Sequence, residues 1–167
     1  MTRIDFYLLP HDNEADRLDM VCKLAEKAVR QSKRVFIHTE CEKLAASLDS
    51  ALWHYRDDSF LPHCTLEYTE SRENTAGVRK SETAAGAATA VPGSVHPEPV
   101  AIGCAAAQPD SQRTVLINLA QEVPPFFSRF ERTLEVINQQ EDVRDSGRRR
   151  YTYYQQRGYP LAHHKLA

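Results

Sequence analysis

Short apolar runs alternate with amphipathic stretches over the first 52 residues, and that rhythm constrains the fold more than any other feature. "IDFYLL" (residues 4–9) reads as a strand rich in aromatic and branched side chains. Asp12 or Asn13 can cap a helix running to about Arg30, in which Leu18, Val21, Cys22, Ala25, Ala28 and Val29 fall at the i, i+3, i+4 spacing of one buried stripe. "KRVFIH" is a second strand, buried on Val35 and Ile37 or on both faces. Thr39 with Glu42 three residues later is a capping-box pattern. The helix it opens is expected to bury Cys41, Leu44, Ala45, Leu48, Ala51 and Leu52. Strand, helix, strand, helix is the pattern of a parallel sheet.

From about 69 to 99 the rhythm stops. That stretch is rich in Ala, Thr, Ser, Gly and Pro without a sustained apolar period, and reads as a flexible insertion. Strands resume at "VAIGCAA" and "RTVLINLA". "PPFFSRF" turns the chain through a short helix, and "RTLEVI" is a fifth strand. Asn138 with Glu141 is an N-cap signal for a last helix, which Gly158 and Pro160 stop. Its apolar stripe is Val143, Gly147, Tyr151 and Tyr154. The expectation is a single α/β domain over residues 1–167, with about five mostly parallel strands flanked by helices.

An α/β chain invites a nucleotide, and the first strand–helix turn argues against one. A dinucleotide site needs G-x-G-x-x-G there, so that backbone can approach phosphate. This turn reads "LLPHDNEAD", without glycine and with three acids. The six glycines all lie at position 77 or later. G-x-x-x-x-G-K and G-x-S-x-G are also absent. His38, at the end of the second strand, is the one histidine placed where α/β sites form, and such a residue is more often structural. His163 and His164 are expected in a frayed tail. The four cysteines (Cys22, Cys41, Cys64, Cys104) have no metal-ligand spacing and are expected to be reduced. No cofactor or metal is expected. The N-terminal apolar run is too short for a signal peptide or a membrane span, so the expectation is a soluble cytoplasmic protein.

Residues 144–160, "RDSGRRRYTYYQQRGYP", concentrate five arginines and four tyrosines in a chain of net charge −2. That balance disfavours bulk DNA binding, which needs a strongly basic domain. On a helix Arg144 and Arg148 share a face, with Tyr151, Thr152 and Gln155 along it. Arg149 would pair with Asp145, and Arg150 points elsewhere. A notch at Gly147, walled by Tyr151 and rimmed by two guanidinium groups, suits an acidic peptide or a terminal carboxylate. The alternative is that the tyrosines pack and the arginines are solvated.

"DFYLL", "KRVFIHTECEKLAASLDSALW" followed by "SFLPH", "VLINLA" and "RRRYTYYQQRGY" occur in an order that resembles the chi subunits of bacterial DNA polymerase III. The resemblance implies a non-enzymatic adapter with a Rossmann-like fold lacking a nucleotide site. It implies two partners: the psi subunit of the clamp loader, and the acidic C-terminal tail of single-stranded DNA-binding protein, which ends in Pro-Phe. DNA would be engaged only indirectly, and the unpaired protein would be a monomer or weak dimer. The resemblance places tail binding on Ile137, Arg144, Arg148, Tyr151 and Thr152. Arg144 stands where lysine is usual, and Thr152 where a basic residue is usual, a contact that Arg149 could replace. It places psi binding near Trp53, Phe60, Leu61 and Pro62, with a core tryptophan as the alternative for Trp53. Two competing functions are direct single-stranded nucleic-acid binding by the Arg/Tyr helix and a cryptic enzyme with its site near His38.

Overall fold

The computed structural model describes residues 2–55, 61–66, 97–104, 109 and 112–166. Phe60 and the expected insertion up to residue 96 lie outside them. The elements are β1 (Arg3–Leu8), α1 (Glu14–Arg30), β2 (Val35–Thr39), α2 (Glu42–His54), β3 (His63–Leu66), β4 (Val100–Cys104), β5 (Val115–Asn118), a 3-10 turn (Phe127–Arg129), β6 (Arg132–Ile137), α3 (Glu141–Gln156) and β7 (Leu161–Lys165). All strands pair in parallel, in the order β3-β4-β2-β5-β6-β1-β7.

The sheet therefore has seven strands, not five. The two that the sequence hides are its edges. β3 is "HCTL" and β7 is "LAHHK", and both are only partly buried. An edge strand buries less apolar surface, so its pattern is weak. His163 and His164 are consequently not in a frayed tail: they pair with Phe6 and Tyr7 of β1. The central strands β2 and β5 are buried at every residue, as strands covered on both faces must be.

Two cap expectations need correction. α2 is preceded by Cys41, which is exposed and makes no side-chain cap bond, because the Thr39 hydroxyl donates to Gly103 O within the sheet instead. The N-cap of α3 is Gln140, also without a side-chain cap. Buried Asn138 accepts from the Gln140 amide through Oδ1 and so shapes the turn before the helix. Asn13 caps α1 through the Ala15 amide, and Gly158 closes α3 at φ +75°, where glycine is favoured. The described cysteines are free, and Cys22 is buried, which pushes its thiol up to about 12.

The helices divide unequally. α1 and α2 pack aliphatic stripes on one face, against Val35, Ile37, Val100, Ile102, Ile117 and Val136. α3 and the 3-10 turn lie on the other face, against Ile4, Phe6, Phe36, Leu116 and Ile137. No described helix is long and apolar enough to cross a membrane.

Candidate functional site: a groove beside the last helix

α3 is seated by a buried polar network. Glu135, in the middle of β6, accepts from Arg150 Nε (3.0 Å), Tyr154 Oη (2.8 Å) and Asn118 Nδ2 (3.0 Å). All four residues are almost fully buried. Arg150 Nη1 also donates to Gln121 O at 3.0 Å. Burial, then the neighbouring Glu135, pushes the Tyr154 phenol far above its ordinary value, so it stays a donor. Gly147 lets the helix approach the sheet: a Cβ there would lie 2.8 Å from Ile137 Cδ1.

One helix cannot cover this face out to β7, and the shortfall is a groove of about 550 Å³. Its floor is the sheet, Phe6 and Leu8 of β1, Ile137 of β6 and His163 of β7. Its wall is α3, with Arg144, Gly147, Arg148, Tyr151 and Thr152; Gln139 closes one end. The Tyr151 ring stands edge-on to Phe6 (5.5 Å between centroids) and tilted to His163 (5.1 Å). Arg148 is largely exposed and only 3.7 Å from Asp145, a loose ion pair. Arg144 is half-buried, and its Nε has no partner among the described residues. Among the described residues no carboxylate lines the groove. Its chemistry is an apolar cleft with cations at the rim, suited to an anionic group next to a ring or aliphatic chain.

All five residues expected to bind the tail line this one groove. Two details differ from expectation. Asp145 meets Arg148 rather than Arg149. Arg149 instead lines a separate cavity of about 270 Å³ with Arg150, Tyr153 and Gln121, outside the lining of the groove. Thr152 turns its hydroxyl back to Arg148 O at 3.1 Å. Phe6, Leu8, Gln139 and His163 were missed. In β1 Phe6 and Leu8 share a face, but nothing local said which helix would leave them open.

The other candidate regions look different. Trp53 is 54% exposed on α2, which excludes the core alternative; its ring meets His63 edge-on at 5.1 Å. Pro62 is half-buried, while Leu61 is in the core and offers little surface. This corner lies at the β3 edge on the α1/α2 face, and the groove at the β7 edge on the α3 face. Six strand spacings of about 4.8 Å, roughly 29 Å, separate those edges. His38 is buried among Phe36 and Phe126, and burial lowers its pKa to about 4, which favours the neutral imidazole. At the C-terminal strand ends, where α/β folds bind ligands, Arg17 fills the space. Its guanidinium donates to Val136 O (3.0 Å) and Leu119 O (3.4 Å), and Glu14 holds it in place. Among the described residues no cluster suits a metal ion.

Comparison with known proteins identifies the family. Residues 1–162 match the family described as DNA polymerase III chi subunit, HolC. The chain is 34% identical to the DNA polymerase III subunit chi of Pseudomonas aeruginosa PAO1, over 99% of this chain and 98% of that protein. It is 31% identical to the subunit of the same name from Escherichia coli K12, over 96% of each. The crystal structure of T4 UvsW is similar in fold alone, with a TM-score of 0.62 at 7% identity, over 99% of this chain and 41% of that one. The chain belongs to the DNA polymerase III chi-subunit family, the accessory subunits of a replicative polymerase.

Proposed function

We propose that this chain is a non-catalytic adapter of the replisome, acting in the cytoplasm. It links the clamp loader, through psi, to the acidic C-terminal tail of single-stranded DNA-binding protein. The observation that carries this reading is the groove, in which Ile137, Arg144, Arg148, Tyr151 and Thr152 come together with no acid among the described lining residues. Ile137, Tyr151 and Phe6 receive the terminal Phe ring, while Arg148 and Arg144 meet the terminal carboxylate and the acidic run. Aromatic burial supplies affinity and the charges supply orientation and partner choice. Psi binds at the Trp53 corner, together with Pro62. Its placement on the opposite face and edge lets both partners dock at once.

The test is titration with a short acidic peptide ending in Pro-Phe, free or amidated, against wild type and Arg148→Ala. Micromolar binding that weakens at least tenfold on amidation and on Arg148→Ala is expected. Equal affinity for both peptides, or binding of single-stranded DNA with a steep salt dependence, would replace the adapter reading with a nucleic-acid one.

A further inference from the structure

Among the described residues that line the groove, His163 is the one histidine. It is exposed, it stands on the edge strand β7, and its ring nitrogens have no hydrogen-bond partner among the described residues. One edge of the imidazole lies against Tyr151 (5.1 Å) and Phe6 (6.0 Å), which hold it in the groove floor. Its surroundings are cationic or neutral. From α3 it faces Arg144, Arg148, Tyr151 and Thr152; from β1, Phe6 and Leu8; from β6, Ile137. On its own strand Lys165 follows on the same face. The nearby acids are engaged elsewhere. Glu135 is buried under Arg150, Asn118 and Tyr154. Asp5 is on the opposite face with Arg132 and His164, and Asp145 is beside Arg148. Glu141 and Asp142, in the first turn of α3, are outside the lining.

We infer that His163 is a ligand-contacting, charge-tunable residue of the groove. Its protonation adds a third cation to Arg144 and Arg148, so that acidic C-terminal peptides bind more tightly as pH falls. This inference rests on the peptide-binding reading above.

The experiment is calorimetric titration with an acidic, histidine-free peptide ending in Pro-Phe at pH 8.0 and pH 5.8, where its carboxylates remain ionised. The wild type is expected to bind about three- to fivefold more tightly at pH 5.8, the size of one partly exposed charge pair. His163→Gln should lose that pH dependence, and His163→Lys should bind equally at both pH values. His54→Gln, changed at an exposed histidine on α2, should keep the full wild-type dependence. Binding with no pH dependence, or with the same dependence in His163→Gln, overturns the role of His163 and leaves the groove as the peptide site. Absence of binding at either pH overturns both.

Discussion

The two faces of the sheet are built from different materials. The α1/α2 face is mainly aliphatic and largely closed, two helices meeting strands whose inward residues are mostly Val, Ile and Leu, with Tyr7 and the Asp5–Arg132–His164 group toward the β7 edge. The α3 face is aromatic and polar, one helix anchored by Glu135, Arg150 and Tyr154, with a groove left over. A fully covered face can offer a partner only the outer sides of its helices. A face short of one helix offers a cleft with an apolar floor. The proposed function on the second face would thus follow from coverage, with the charges at its rim selecting what the cleft accepts.

The sharpest way to break this contrast is to unseat α3. Arg150→Met leaves the Glu135 carboxylate buried without its cation, and should lower stability by about 3–5 kcal/mol and weaken peptide binding together. Leu48→Ala cuts a cavity in the closed face and should cost about 2–5 kcal/mol in urea denaturation. It should leave peptide affinity unchanged. Equal loss of affinity in both variants would mean that the faces are not independent.

His38 sharpens the contrast through pH. The folded imidazole has its pKa at about 4, below the ordinary 6.5, so between those values the unfolded chain binds a proton that the folded chain does not. Stability should be full above pH 6.5 and fall as pH drops toward 4, by at most about 3 kcal/mol. His38→Phe should flatten that limb; an unchanged limb would mean that His38 is not the group responsible. Gly147→Ala is a subtler probe. Alanine favours the helix by about 1 kcal/mol, yet its Cβ must displace the end of the Ile137 side chain. A stability change within about 1 kcal/mol, with a several-fold loss of peptide affinity, is expected. Trp53→Ala should have the smallest effect on folding, within about 0.5 kcal/mol, and none on the peptide.

The parts of this contrast that sequence revealed are those with strong periodicity. α1 runs to Arg30 as its stripe required, β2 and β5 announced themselves as continuous apolar runs, and the stop at Gly158 held. β3 and β7 did not, because half-buried edges carry histidines and lysine where core strands carry valine. The groove was legible on the helix side, since Arg144, Arg148 and Tyr151 share a face by helical geometry alone. Its sheet side was not, because Phe6, Leu8 and His163 become neighbours only through the β6-β1-β7 pairing. Arg149 and Arg150 show the limit of spacing. Within two residues of Arg148, one lines a different cavity and the other enters the core.

The most direct test is an amide chemical-shift map of the protein titrated with the acidic Pro-Phe peptide. Shifts confined to the groove, at Leu8, Ile137, Gly147, Tyr151 and His163, with Trp53 and the α1/α2 face silent, are the predicted result. Shifts centred on Trp53, on the Arg149–Tyr153 cavity, or nowhere would contradict it.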